Sequence, residues 1–301
     1  MSQKEEKKAL ALDSCHPVTV FFYLAGVILF SVFLTHPVAV ILSLLGGAAF
    51  SAQIRGWRKF FADLAFYLPL FLLVSLTNPL FSHNGATPLF FLNGNPVTME
   101  AILYGMDLAA MMVAVLLWCQ CFSAMMTSEK ILCLFGRMAP RLSLTLSMSL
   151  RFLPLFRQRW HEIRVTQMAM GYHSEKSVVG RLVNSARIFS ALLGWALENA
   201  VDTAASMRAR GYGLRGRTYF SPFRFSARDG ILLLLAWMAG GGILVGVGCG
   251  ALSFSFYPRL TPLWPTGTSW VWLALFGAYA MLPAILEITE VLRWKYYRSG
   301  I

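Results

Sequence analysis

Charge is what this sequence has least of. Asp, Glu, Lys and Arg make up 13% of its 301 residues, against about 25% in ordinary globular chains. With 57% hydrophobic residues, the chain holds too little polar surface to cover itself in water, so a soluble enzyme and a disordered chain both fit poorly. Cysteine is equally uninformative as a framework. Cys15, Cys119, Cys121, Cys133 and Cys249 are scattered, mostly inside apolar runs, which gives neither a disulfide pattern nor a zinc spacing and leaves buried, inert thiols as the expectation.

Motifs for chemistry are missing too. The nearest approach to a phosphate cradle, Gly171 to Ser177, has Lys176-Ser177 but Glu175 where a glycine must let backbone amides reach phosphate. Gly211, Gly213 and Gly216 match the glycine spacing of a dinucleotide loop, yet they follow a helical pattern rather than a strand, with no acidic residue about 20 positions on. His83 and His161 stand alone, and no His-x-x-x-His, paired carboxylates or Ser-His constellation occurs. No catalytic residue, metal site or cofactor site is therefore expected in this chain.

Long apolar runs are what the sequence does have. A spanning helix needs about 20 mostly apolar residues, and six candidates lie between charges or turn signals: Val18 to Leu34, Val38 to about Ala52, Phe60 to Leu76, Ala101 to Met126, the stretch after Asp229 to about Leu252, and Trp270 to Leu286. Thr35-His36-Pro37 separates the first two as a tight break. No small-residue cleavage site follows Leu34, so the first run reads as a retained helix. The reading is an all-α integral membrane protein of about six spans. Residues 1–127 carry four of them and 229–301 two, with a long segment of different composition, 128–228, between.

Charge then sets the orientation. Placing the N-terminus in the cytoplasm puts 25 of the 26 Lys and Arg residues on that side and only Arg259 outside, as the positive-inside rule expects. Segment 128–228 holds 16 basic and 5 acidic residues, nearly all of the chain's net +12. Anionic lipid headgroups account for the sign of that charge, though poorly for its amount; its place beside a membrane argues against nucleic acid. Within the spans, Asp107 and Asp63 stand out because charge in hydrocarbon is costly. Asp63 is expected to reach the interface near Arg58 and Lys59, while Asp107 is a candidate intramembrane polar site. Gly242, Gly246 and Gly250 recur every four residues, which permits close helix packing within the chain or a sliding surface for a partner.

The 128–228 segment has helical periodicity. Leu142, Leu146, Leu150, Leu153 and Phe156 follow steps of three and four that continue through Ile163, with a kink expected at Pro154. A second helix is expected from about Val178 to Arg210, with Phe189, Leu193, Leu197 and Val201 on one face. The two apolar faces are expected to be buried against each other, the spans or a partner. Both helices close on Ala-x-Gly-Tyr, at 169–172 and 209–212. A glycine just past a helix end takes the left-handed conformation that stops it, and Arg208 and Arg210 complement the negative end of the helix dipole.

Several of these residues together resemble the transmembrane T component of energy-coupling factor (ECF) transporters: Thr127-Ser128-Glu129, Arg151-Phe152-Leu153-Pro154, the paired Ala-x-Gly endings, Ser206 to Gly211, and the His-Pro steps at 16–17 and 36–37. The resemblance covers essentially the whole chain. It implies two cytoplasmic coupling helices, each ending in an Ala-Arg-Gly signature whose arginine enters a groove on one of two ABC-type ATPase subunits. Ala209, Arg210 and Gly211 form the second signature. The first is Ala169, Met170 and Gly171, with Met170 where arginine is usual and Arg164 and His173 close enough to compensate. It further implies a membrane-embedded S component that binds the vitamin or transition-metal ion, ATP and Mg on the partner ATPases only, and a prokaryotic cell membrane with both termini inside. A membrane-embedded lipid-modifying enzyme using Asp107 or His83, and a conventional permease subunit with its own substrate path, are the alternatives; few polar residues in the spans weigh against the second.

The charge distribution predicts the labelling pattern of intact cells. Membrane-impermeant thiol reagents should modify Ser82→Cys and Thr268→Cys and spare Ser174→Cys. Labelling at position 174 would overturn the orientation.

Overall fold

The computed structural model describes residues 12, 14–82, 85–92, 95–136, 139–171, 178–214, 223–257, 260–262, 267 and 269–299. Its helices are α1 (Pro17–Phe33), α2 (Pro37–Arg55), α3 (Trp57–Phe81), α4 (Met99–Met125), α5 (Ser128–Gly136), α6 (Pro140–Ala169), α7 (Val178–Ala209), α8 (Ala227–Gly248) and α9 (Ser269–Ser299). They divide between two compact units, one of residues 1–131 and 223–301, the other of residues 132–222.

The protein is an all-α integral membrane protein. Helices α2, α3, α4, α8 and α9 are each long and apolar enough to cross a bilayer. The first run is shorter than expected of a span, because a His-Pro step starts α1 and the 35–37 break ends it after 17 residues. Helix α9 instead continues well past Leu286. The sequence reading also missed a small β-hairpin between α3 and α4, β1 (Pro88–Leu92) with β2 (Asn95–Thr98), antiparallel and irregular between Pro88 and Phe90.

Two starts in the membrane unit follow one recipe. His16 and His36 are the N-caps of α1 and α2, each followed by proline at the first helical position and each accepting at Nδ1 from a valine N–H, Val18 and Val38, at 3.3 Å. Proline fits there because its missing N–H is one the helix end leaves unpaired anyway. Each ring also meets a phenylalanine edge-on, Phe225 for His16 and Phe254 for His36. Accepting at Nδ1 requires an unprotonated ring, and burial lowers the pKa of His36, which favours that form. The start of α8 is tied to the start of α1 through buried Asp229. Its carboxylate accepts from Ser226 N–H and Oγ at 2.9 Å, closing a capping box, and from the backbone N–H of His16 at 2.8 Å.

The core of this unit lies among α1, α2, α4, α8 and α9, around Trp118, Phe50, Phe276, Leu24 and Val27. Lipid offers backbone groups no hydrogen bonds, so each must be satisfied within the protein. Pro283 lacks the N–H that would bond the carbonyl of Tyr279 inside α9. The hydroxyl of Tyr23, on α1, donates to that carbonyl, and the hydroxyl of Tyr279 returns a bond to the carbonyl of Tyr23 at 3.2 Å. Pro79 similarly frees the carbonyl of Ser75 in α3, and the backbone of Gly105 on α4 closes over it. A Cβ on Gly105 would stand 2.6 Å from that oxygen. Trp118 Nε1 donates to the carbonyl and Oγ of Ser43, both at 3.1 Å, and Ser43 Oγ meets Ser31 Oγ at 2.5 Å.

Close helix packing is what the α8 glycines do. A Cβ on Gly242 or Gly246 would come within 2.8 Å of Leu275 or Trp272 of α9, which leaves no sliding surface there. Gly250 is not part of that contact; it caps α8 at φ 72°. Two thiols depart from expectation. Cys15 and Cys121 are buried, and burial pushes the Cys15 thiol up to about 11, but Cys119 and Cys249 are exposed. Asp63 pairs with Arg55 and accepts from Gln120 Nε2 at 3.2 Å.

The tyrosine pair predicts unequal effects of equivalent substitutions. Tyr23→Phe strands the Tyr279 carbonyl and should cost about 1–3 kcal/mol. Tyr279→Phe removes a bond to a carbonyl that keeps its helical donor, and should cost under about 1 kcal/mol. Thermal unfolding in detergent compares the two; equal shifts would refute this account of Pro283.

Candidate functional site

The second unit is built on α6 and α7, helices of 30 and 32 residues, each about 45 Å long. Their contact rests on aromatic and cationic groups. Phe156 meets Trp195 edge-on at 5.8 Å, and the Arg159 guanidinium lies 5.5 Å from the centre of the same ring while bonding Glu162 at 2.7 Å. Ile188, two turns before Trp195 on α7, is buried. A cleft of about 480 Å³ opens between the helices, lined by Glu162, Gln167, Met170, Ala191 and Trp195 among others, and the buried Gln167 Oε1 has no hydrogen-bond partner among the described residues.

Trp195 was not legible as a contact residue. It lies between the positions of the Phe189, Leu193, Leu197 and Val201 stripe, and that stripe is exposed in the structure. Leu142, Leu146 and Leu153 of α6 are exposed as well, while Phe156 and Ile163 are half-buried. The expected burial of the two apolar faces against each other therefore does not occur. The helices meet along a narrower seam, and both wider apolar faces stay open. Helix α6 runs unbroken through Pro154, and Arg151, one turn before it, is exposed.

Both helices end as their glycines require. Gly171 has φ 81° and Gly211 φ 82°. At the end of α7, Tyr212 N–H bonds the carbonyl of Met207 at 3.0 Å and Gly211 N–H that of Arg208 at 3.0 Å, the paired bonds that a left-handed residue after a helix makes possible. At the end of α6, Gly171 N–H bonds the carbonyl of Met168 at 3.1 Å. A Cβ on Gly171 would meet nothing within 4 Å, so its demand is conformational, not one of space. Gly211 and Gly213 lie in this turn after the helix; Gly216 and residues 172–177 lie outside the described residues.

The cap leaves its neighbours outward. Ala169, Met170, Arg208, Ala209 and Arg210 are all exposed, Met170 at 67%. Neither Arg208 nor Arg210 forms an ion pair or side-chain hydrogen bond with any described residue. Arg164 is exposed beside the first ending, and His173 is outside the described residues. The structure thus brings each signature together locally, as one helix end with a rigid turn and an outward side chain: a cation at 210, a thioether at 170.

Asp107 lies apart from this site. It is half-buried in α4, about 12 Å along the helix from Met99, with no hydrogen-bond or ion-pair partner among the described residues. No cluster of three His, Cys, Asp or Glu residues that could hold a metal occurs among the described residues. His83, Ser174, Arg259 and Thr268 fall outside them.

The caps predict a conformational penalty. Gly211→Ala forces an L-residue into the left-handed region and should destabilise this turn by about 1–2 kcal/mol, whereas Gly194→Ala, in the middle of α7 with open space around it, should be neutral or stabilising. Hydrogen exchange of the last turn of α7 would separate them, and equal protection in both variants would contradict the cap.

Comparison with known proteins gives one family. A family model described as CbiQ, cobalt transport protein, matches residues 12–220. No curated protein matches the chain.

Proposed function

The chain belongs to the CbiQ family of cobalt transport proteins, the T components of ECF transporters, and from that premise we propose that it is the transmembrane scaffold that couples two ATPases to a substrate-binding S component. In this reading α6 and α7 are the coupling helices. Their glycine-capped ends dock on the two ABC-type ATPase subunits, which carry the ATP and Mg. Closure of the ATPases pushes the helices, and the S component reorients so that its vitamin or transition-metal ion is released on the cytoplasmic side of a prokaryotic cell membrane.

The observation that carries this reading is Arg210. A dipole-compensating arginine needs only proximity to the last carbonyls, yet this one projects from a rigid turn with no partner in its own chain among the described residues. Its planar fork of donors suits carboxylates and carbonyls in a groove. The exposed Leu193, Leu197 and Val201 of α7 support the same reading, since an open apolar face on a long helix has the character of a surface awaiting a partner. The two ATPase contacts are unequal, because Met170 offers packing where Arg210 offers charge.

Two charge reversals test the coupling role. Arg210→Glu should lose about 2–5 kcal/mol of ATPase binding, since the groove's partners are left unpaired and a like charge is added. Arg215→Glu, a nearby basic control, should bind almost as the native chain does. ATPase pull-down and substrate uptake are the measurements, and native values for Arg210→Glu would leave the arginine with its dipole role alone.

A further inference from the structure

Between Asp63 and Glu100 the sequence has no Asp, Glu, Lys or Arg. This neutral stretch covers most of α3 and the whole β-hairpin. Helix α3 packs one side on α4 and fully buries only Tyr67 and Pro79, so an apolar face stays open along its length, and Phe81 at its end is 81% exposed. The apolar surface does not stop where the helix does. On β1, Leu89 is 57% and Phe91 70% exposed.

The hairpin is held firmly at its base. Buried Glu100, in the first turn of α4, accepts from the backbone N–H groups of Ala86 and Thr87 at 3.3 Å and from Thr87 Oγ1 at 2.7 Å. Met99 N–H bonds the carbonyl of Thr87 at 3.1 Å, and Val97 and Thr98 are buried. Leu89 and Phe91 are thus displayed from a fixed ribbon above the end of a spanning helix. That ribbon cannot enter the hydrocarbon core, because both edges of a two-stranded sheet carry backbone groups that hydrocarbon leaves unsatisfied. Pro88 and Pro96 remove two such donors without closing the edges. The headgroup region resolves the conflict. Water reaches the backbone there, while apolar and aromatic side chains reach the acyl boundary.

We propose that the β-hairpin is an interfacial anchor, with Leu89 and Phe91 inserted into the leaflet at the end of α3 and the start of α4. Its occupant is the lipid surface, continuous with the lipid-facing side of α3. Because the whole stretch is neutral, the contact needs no anionic lipid and is not screened by salt, unlike any contact made by the basic segment.

The full-length chain, with its native cysteines replaced and eluting as a single species, would carry Phe91→Cys or Leu89→Cys labelled with an environment-sensitive nitrobenzoxadiazole dye in phosphatidylcholine vesicles. Insertion predicts blue-shifted emission, quenched at least about twofold more by lipid spin-labelled near the headgroup than by aqueous iodide, and unchanged by phosphatidylglycerol or molar salt. Stronger quenching by iodide at both positions overturns the proposal. So does shielding that appears only when a second membrane subunit is co-reconstituted, which would assign the face to protein. Dependence on anionic lipid would overturn the neutral mode of insertion.

Discussion

The membrane unit is organised by one constraint: a backbone carbonyl inside a bilayer that loses its helical donor must find another within the protein. Pro283 breaks the ladder in α9, and Tyr23 of α1 completes it. Pro79 likewise frees the carbonyl of Ser75 in α3, and there the bare Cα of Gly105 on α4 packs against the oxygen without supplying a donor. The Tyr23 bond couples α1 and α9 at a defined height and rotation, because a hydroxyl must reach one particular oxygen, and the Gly105 contact fixes how closely α4 approaches α3. Hydrophobic burial sets no such register, since lipid tails are as apolar as leucine. Pro283 thus weakens α9 while fixing α1 as the neighbour that completes it.

Polar groups at the helix starts play a related part. The two His-Pro steps give α1 and α2 the same entry, and Asp229 serves as the cap of α8 and as a clamp on the backbone before α1. These contacts sit where charges and imidazoles are affordable, at the ends of apolar segments. The segment from 132 to 222 follows another rule. Helices α6 and α7 bury little within their own unit, meet along a seam of Phe156, Arg159 and Trp195, and leave apolar and cationic faces open. For a subunit proposed to transmit motion between partners, that division is physically apt: one unit has a buried core of its own, the other keeps most of its apolar and cationic surface open.

Much of this was legible in the sequence for reasons of period and length. Apolar runs of about 20 residues have few alternatives to a spanning helix, and the Ala-x-Gly-Tyr endings announce helix stops because only glycine takes positive φ cheaply. Gly171 and Gly211 are found where those endings place them. Other readings failed where a pattern had two solutions. The Leu193 and Leu197 stripe marks an apolar face correctly but does not say what covers it, and the seam runs instead through Ile188, Leu192 and Trp195, a second stripe of the same helical period that Asn184, Asn199 and Thr203 make less apolar. The hairpin was invisible because five residues with a proline and a bulge give no clear alternation. Arg55 could not be distinguished from Arg58 and Lys59 as the partner of Asp63, since all three lie within reach in sequence.

By itself, then, the sequence determined the solvent of this protein, the approximate positions of its long helices though not how many are long enough to span, and the two glycine-stopped ends that carry its candidate coupling residues. These depend on composition, local period and single-residue backbone preference, which are written along one dimension. Tertiary structure alone decided that the Tyr23 hydroxyl completes the carbonyl Pro283 frees, which arginine Asp63 meets, which face of α7 lies against α6, and that Arg210, Leu89 and Phe91 stand clear of the rest of the chain. Those outcomes turn on distances between residues far apart in sequence, and a difference of one helical rotation changes every one of them.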